Sequence, residues 1–364
     1  MVEKIAIIGL RMYPAKFAGV GGNEVRGEAL INHFLKQYQL TVYVRSWVRL
    51  KIKPQKNLRV VPVFTFNNKF LDTFIYSFFA SCQEMFSSSQ VVFYEGAGAS
   101  FFCFLPKLRG KKIVTTFHAL EWQRKKWPLL AKLYLKISEI ISCICSDVIV
   151  AVTADMASYL KYKYHKKAWV IPYFFEKKPF PGANYLKKLG LKKDNYILFL
   201  GRIVPEKRVD WLIKAYNQIK TQKKLVIAGG ELHDYQYFNN IKNLVKADRR
   251  IIFTNYVFGH QKEELLANCS LLVLPSQVEG FALVVMEALA YHKRILIPDF
   301  LVYRRLFGTQ SLFHASSYSS FIKKLKKNLY VINNYQPYLK RPLLTKKEFF
   351  QTYERLLHEL LKNS

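Results

Sequence analysis

Glu279 and Glu287 bracket a run of small and apolar residues within LLVLPSQVEGFALVVMEALA, Leu271 to Ala290. The pattern predicts a buried strand ending at Pro275, a loop carrying Glu279-Gly280 and a helix opening near Phe281. The first N–H groups of such a helix, from Phe281 through Ala282 to Leu283, have no partner inside it and can hold an anion such as a diphosphate. Glu279, outside the helix, can face sugar hydroxyls; Glu287, further in, can accept hydrogen bonds from a nucleoside sugar. Eight residues of ideal helix advance about 80° past two full turns, so the two carboxylates are not stacked. They serve one ligand only if Glu279 sits in the loop.

A second group of polar residues follows another strand, in Gly201-Arg202-Ile203-Val204-Pro205-Glu206-Lys207. Arginine can fork onto two phosphate oxygens while lysine acts as a point charge. Together they can neutralise a pyrophosphate leaving group, the task a metal ion performs elsewhere. The sequence has no D-x-D pair, so neither a metal nor any other cofactor is expected. His118 ends the apolar run Lys112 to Phe117, a strand-end position suited to meeting a ligand. Gly21 and Gly22 close the loop that begins at Ala18, where glycines let backbone approach phosphate or sugar oxygens. Gly230 ends another strand candidate, and Val257, beside Tyr256, is a candidate wall for a base.

The elements that must carry these groups alternate. Strand candidates are Ile5 to Gly9, Thr41 to Arg45, Arg59 to Val63, Val91 to Tyr94, Lys112 to Phe117 and Asp147 to Val152. Helices are expected from Asn23 to Lys36 and from Pro128 to Cys145, the latter with helical spacing through Leu129, Leu133, Ile137, Ile140, Ile141 and Ile144. The stretch 174–195, rich in Pro, Gly and Lys, reads as a linker. A second series then runs through Tyr196 to Gly201, Leu225 to Gly229, Ile251 to Thr254, Leu271 to Pro275 and Arg294 to Pro298. Short all-apolar strands separated by helices imply α/β domains with doubly wound parallel sheets. The expected domains are 1–173 and 196–340, followed by a helix in 341–364. That helix opens on the capping box Thr345 to Glu348 and is expected to pack back on the first domain.

Bulk properties agree with two sizeable cores: 364 residues, 51% of them hydrophobic and 15% aromatic. The formal charge of +32 is shared, with 25 basic and 10 acidic residues before Phe174 and 32 and 15 from it onward. Such a balance favours anionic partners, namely phosphorylated substrates or an acidic membrane surface. RNP-like or arginine-rich motifs are absent, so nucleic acid is not expected. The five cysteines form no CxxC pair and read as free thiols. The amino terminus lacks a signal-peptide layout and no apolar run reaches the usual spanning length of about 18 residues. The expectation is a cytoplasmic protein that lies on a membrane rather than crossing it. Trp122 and Trp127, with Arg124, Lys125 and Lys126 between them, suit such an interface.

The motifs in register resemble a known family. Pro275-Ser276, Glu279-Gly-Phe and Glu287-Ala after a strand look like the donor signature of family 4 glycosyltransferases of GT-B fold, and Gly201-Arg202 to Lys207 resembles the family's G-R-x-x-x-x-K loop. His118-Ala-Leu-Glu121-Trp122-Gln-Arg-Lys-Lys-Trp127 is similar to H-G-L-E-W-x-R-x-K-W of a rhamnosyltransferase-like subgroup of bacterial polysaccharide synthesis, whose opening K-I-A-I-I-G-x-R-x-x-P-A-K-[FY] is matched by Lys4 to Phe17. The resemblance spans nearly the whole chain. It implies two Rossmann-like domains facing across a cleft, with His118 at the donor sugar, Gly230 near the diphosphate, and Glu121 and Trp122 on the acceptor side. It also implies retention of configuration, dTDP-rhamnose as donor and a polyprenyl-diphosphate-linked acceptor. The chain departs from the pattern at G-V-G-G-N-E, where the subgroup has G-G-F-E-T, and at Ala282 and His292, where glycines are usual.

Three readings remain distinct. The first is a metal-independent transferase acting on a nucleotide-diphosphate sugar and a lipid-linked or glycan acceptor. The second keeps the fold but makes the enzyme a nucleotide-sugar epimerase or hydrolase. The third is a basic adaptor binding membrane or nucleic acid, which the intact set His118, Arg202, Lys207, Glu279 and Glu287 argues against.

Overall fold

The computed structural model describes residues 3–15, 22–48, 55–68, 71–123, 127–174, 176, 178–230, 235–246, 248–279, 281–330, 339–340 and 344–362. They divide into two units, each built on its own parallel sheet. In chain order the first unit contains β1 (Lys4–Ile8), α1 (Gly22–Phe34), β2 (Gln39–Arg45), β3 (Leu58–Val63), α2 (Asp72–Met85), β4 (Val91–Glu95) and α3 (Phe104–Leu108). It continues with β5 (Lys112–Phe117), α4 (Leu129–Cys145), β6 (Val148–Ala151), α5 (Ala154–Tyr164) and β7 (Trp169–Val170). The second contains α6 (Asn184–Lys188), β8 (Tyr196–Leu200), α7 (Val209–Asn217), β9 (Lys224–Ala228), α8 (Tyr235–Lys246), β10 (Ile251–Asn255) and α9 (Gly259–Asn268). After these come β11 (Leu271–Val273), α10 (Leu283–Ala290), β12 (Ile295–Pro298), α11 (Leu301–Leu306), β13 (Leu312–Phe313) and α12 (Tyr318–Tyr330). The last helix, α13 (Lys346–Lys362), belongs to the first unit.

The first sheet has the order β3-β2-β1-β4-β5-β6-β7 and the second β10-β9-β8-β11-β12-β13, every pairing parallel. Both are doubly wound: the chain builds outward from its first strand on one side, then returns to the other side. In the first unit Ile5 is therefore flanked by Leu40 and Val91. In the second, Ile197 lies between Leu225 and Leu271. Within each unit the strand order reverses between two neighbouring strands, β1 and β4 in the first and β8 and β11 in the second. Strands such as Tyr196–Leu200 and Val91–Glu95 are buried along their whole length, which is why they contain no alternating polar residues. The two-residue edge strands β7 and β13 are too short to leave a pattern in the sequence.

Residues 174–195, read from composition as a linker, lie in the second unit, where Leu186 and Leu191 are buried and Tyr185 N–H donates to Glu264 at 2.7 Å. The helix α13 packs Phe349, Tyr353 and Leu357 into the first unit, and His33 of α1 stacks on Phe350 and contacts Glu354 at 2.8 Å. Beyond α10, His292 adopts φ +56°, the left-handed conformation that explains why glycine suits this position.

Helices α2 and α4 bury some apolar residues, Tyr76 and Ala80 in α2 and Leu135 and Cys143 in α4, but partly invert the usual arrangement by also turning a row of large apolar residues outward. α4 buries Ser138, Glu139 and Ser142 and exposes Leu129, Leu133, Ile137, Ile140 and Ile144. Its inward face is held by polar bonds: Glu139 accepts from Trp122 Nε1 at 3.0 Å and from Tyr159 Oη at 2.7 Å. α2 likewise buries Ser77, Ser81 and Glu84 while Phe74, Phe78 and Phe79 face outward.

Candidate active site

In the second unit the loops after β8 and β11 converge. Lys207 is ion-paired with Glu279, whose Oε1 also accepts a 2.8 Å hydrogen bond from Ser276 Oγ. The backbone closes the same contact, Gln277 N–H donating to the Glu206 carbonyl at 2.7 Å. Ser276 is fully buried, so its hydroxyl orients Glu279 from within. Sequence reading took Pro275-Ser276 only as a marker of register; a buried serine three residues before a loop carboxylate was the signal for its contact. Arg202, in the loop after β8, has no hydrogen-bond or ion-pair partner among the described residues and remains available to an anion.

Gly229 and Gly230, after β9, lie beside this loop, and the Gly230 carbonyl accepts from Ile203 N–H at 2.9 Å. Gly229 has φ +152°, and a Cβ there would overlap the Gly201 carbonyl oxygen. A Cβ on Gly230 would lie 2.5 Å from Cε2 of Tyr256. Both glycines are therefore required by backbone and ring contact within the unit. Val257 is buried in the core, so the ring against Gly230 belongs to its neighbour Tyr256.

The helix after the Glu279 turn starts later than the sequence pattern suggests. Ala282 is its extended N-cap, φ −87° and ψ 111°, and Leu283 its first helical residue. Ala282 N–H is already donated to Tyr303 Oη at 3.0 Å, and Phe281 packs against the core with its ring 5.9 Å from that of Tyr303. The free end of the helix is thus carried by Leu283 and the residues after it rather than by Phe281 and Ala282. Glu287 faces Lys262 of α9, Nζ to Oε1 2.6 Å. Lys262 went unnoticed in the sequence because no spacing ties a helix of one βα unit to the next.

In the first unit, His118 follows β5 and Glu95 ends β4, the neighbouring strand. Glu95 Oε2 meets His118 Nε2 at 2.9 Å and Arg26 Nη1 at 3.3 Å, while Thr116 Oγ1 donates to Oε1 at 3.2 Å. His118 Nδ1 faces Tyr173 Oη at 3.3 Å. Arg26 is fully buried; its guanidinium bonds Tyr353 Oη and sits 5.6 Å from the Phe349 ring centroid and 5.9 Å from that of Tyr173. Burial opposes ionisation of Glu95, but the His118 hydrogen bond and the Arg26 charge outweigh it and hold the carboxyl below its ordinary value. Burial pushes the hydroxyls of Tyr173 and Tyr353 up, so both stay protonated. Glu95 and Arg26 were not singled out from sequence: Glu95 reads there as an interruption in a greasy stretch, and Arg26 as a polar helix position.

Trp122 donates to Glu139 and lies under Lys136, whose Nζ is 4.9 Å from its ring centroid. It is thus part of the anchoring of α4, and Glu121 lies in the short 3-10 turn beside it. Gly22 opens α1. Gly21, Gly280 and the cations Arg124, Lys125 and Lys126 fall outside the described residues.

Comparison with known proteins gives this geometry a family. Residues 20–176 match the family model Glycosyltransferase Family 4, and residues 183–329 match Glycosyl transferases group 1. The uncharacterized glycosyltransferase MJ1607 of Methanocaldococcus jannaschii is 32% identical over 120 residues, 32% of this chain and 30% of the relative. The lipopolysaccharide 1,2-N-acetylglucosaminetransferase of Salmonella typhimurium is 31% identical over 132 residues, 32% of this chain and 33% of the relative. The matches therefore span about a third of these curated relatives. Among solved structures, sucrose-phosphate synthase from Thermosynechococcus elongatus has the same fold at TM-score 0.77 and 16% identity, covering 100% of both chains. Anabaena HepE, solved with UDP and glucose, follows at TM-score 0.73 and 12% identity, again over 100% of both. With a Family 4 domain in its first half and a group 1 domain in its second, each on a parallel α/β sheet, the chain has the make-up of a family 4-type glycosyltransferase of GT-B fold.

Proposed function

We propose that the protein transfers a sugar from a nucleotide diphosphate to a lipid-linked or polysaccharide acceptor in surface-glycan synthesis. The observation that carries this reading is the meeting of Lys207, Ser276 and Glu279 at the carboxyl ends of β8 and β11, with Arg202, which has no partner among the described residues, in the loop of Lys207. Departure of the nucleotide is the difficult step, because negative charge grows on the diphosphate as the glycosidic bond breaks. Arg202 and Lys207 supply positive charge to it, and the N–H groups opening α10 add their dipole. Ser276 holds Glu279 for the hydroxyls of the transferred sugar; the role of His118 toward that sugar rests on the subgroup motif. Glu287 takes the nucleoside sugar, its carboxylate held in place by the ion pair with Lys262. No residue is assigned as a nucleophile; retention of configuration, independence of metal and rhamnose as the sugar rest on the subgroup motifs.

A second donor reading has its own support. Two relatives of about 30% identity, the Salmonella enzyme and a Campylobacter jejuni enzyme acting on a diphospho-undecaprenol-linked sugar, are named as N-acetylhexosaminyl transferases. Thermal stabilisation by a panel of nucleotide diphosphates and their sugars, dTDP-rhamnose and UDP-N-acetylhexosamines included, tests the donor. Product analysis with and without acceptor and chelator follows. Stabilisation by one donor and acceptor-dependent, chelator-resistant product support the proposal; release of free sugar or an epimer regardless of acceptor points to the hydrolase or epimerase instead.

The lipid-linked acceptor calls for work at the inner face of the cell membrane. No helix among the described residues is long and apolar enough to cross a membrane, so attachment would be peripheral.

A further inference from the structure

We propose that the outward faces of α2 and α4 form a docking surface for an anionic lipid bilayer. This names the surface for the peripheral attachment above, and its test reads lipid binding alone, so failure of the donor assignment and failure of this surface are separately visible.

The inverted helices carry the inference. Leu129 and Leu130 are 81% and 79% exposed, and Ile144, at the far end of α4, is 69% exposed. At 1.5 Å per residue the stripe from Leu129 to Ile144 is about 22 Å long. Exposed leucines scattered singly need no explanation, but a stripe kept outward by a buried glutamate does. Rotating α4 to hide it would strip Glu139 of Trp122, Tyr159, Tyr164 and Lys163. α2 extends the surface without a break: Phe74 packs on Tyr134 of α4 with ring centroids 5.6 Å apart, and Phe79 on Phe64 at 6.0 Å. Phe86, at the end of α2, is 73% exposed under Arg109, 5.3 Å from its ring.

Charge decides the occupant. The carboxylates of the two helices all point inward and are held there: Asp72 by Arg45 at 3.1 Å, Glu84 by Lys111 at 2.9 Å, and Glu139 by the group just named. Among the described residues α4 carries Lys132 and Lys136, and Arg109 stands over Phe86 at the end of α2. A second copy would bring the same cations, and a formal charge of +32, against them. An anionic bilayer offers headgroups to the cations and acyl chains to the leucines and phenylalanines, the division of labour of an interfacial helix.

Sedimentation with vesicles of phosphatidylcholine, with and without phosphatidylglycerol, tests this on the whole chain. The expected result is binding only where phosphatidylglycerol is present. The charge-neutral pair Leu133→Gln and Ile137→Gln lowers it at least about tenfold, and so does Lys132→Glu with Lys136→Glu. Both pairs keep the wild-type circular dichroism, since Leu133, Lys136 and Ile137 are exposed and Lys132 is partly so. Leu301→Glu, on an exposed position of the second unit, is the control and binds as wild type. Undiminished binding by the glutamine pair would show that net charge alone attracts the protein, and would overturn the proposal. So would absence of vesicle binding, or a concentration-dependent dimer that the glutamine pair dissolves.

Discussion

Glu95 and His118 join β4 to the end of β5 through a 2.9 Å contact between Oε2 and Nε2. Because an ionised carboxylate only accepts, His118 donates from Nε2; in the neutral imidazole Nδ1 is then the acceptor, and it faces Tyr173 at 3.3 Å. That second contact is long for a hydroxyl donor. A ligand hydroxyl could therefore replace Tyr173 at Nδ1 without disturbing the bond that orients the ring. The same carboxylate holds Arg26, and through it Tyr353 of α13, so one acid ties a strand-end histidine to the last helix of the chain.

Replacing Glu95 by glutamine is expected to cost about 3–5 kcal/mol, since a buried guanidinium loses its counter-charge. Its pKa is lowered by folding, so the stability it contributes is complete above the unfolded carboxylate's value of 4.5 and is lost as pH falls from there through the lower folded value. Urea midpoints measured from neutral pH down to pH 3 should fall less steeply in Glu95→Gln than in the wild type over the acid end. Parallel acid limbs would mean that Glu95 is not the group titrating.

Arg202→Ala and Glu279→Ala should each reduce transfer by about 100-fold or more, the scale of removing one electrostatic contact to a transition state. The melting temperature of Arg202→Ala should stay close to wild type, because Arg202 has no partner among the described residues, whereas Glu279→Ala should lose about 1 kcal/mol or more with its bonds to Lys207 and Ser276. Steady-state kinetics with the donor found by thermal screening, alongside a melt, gives both numbers. Full activity in either variant removes the site assignment.

Ser276→Ala takes away the 2.8 Å bond that orients Glu279 while leaving Lys207 in place. Stability should drop by about 1 kcal/mol, the usual net value of one hydrogen bond. The rate should fall by roughly tenfold, mainly in kcat, if Glu279 has to be held for the transition state more than for the bound donor. A drop confined to KM would instead make Glu279 a simple binding group.

Gly230→Ala sets a methyl group 2.5 Å from Cε2 of Tyr256, a clash that a side chain can relieve by moving. The expected cost is about 1–3 kcal/mol. Pairing it with Tyr256→Ala should recover part of that loss in a double-mutant cycle. Gly229→Ala meets the Gly201 carbonyl oxygen, which is backbone, and no single side-chain truncation should rescue it. Chemical denaturation of the four variants measures each term.

The sequence by itself determined the longer strands, though not the two-residue edge strands β7 and β13, together with the doubly wound character and the polar loops at the strand ends. Buried parallel strands are uniformly apolar, and a loop that must approach a phosphate needs glycine, arginine or lysine beside it; both facts are local in the chain. Periodicity could also show that Leu129, Leu133, Ile137, Ile140 and Ile144 share one face of a helix. It could not say which way that face turns. Only the tertiary structure decided it, because the partners of Glu139 come from a 3-10 turn and from α5, separated in sequence but joined in space. Glu95 and Arg26 were hidden for the same reason: 69 residues apart, each is unremarkable until the fold sets them 3.3 Å from one another.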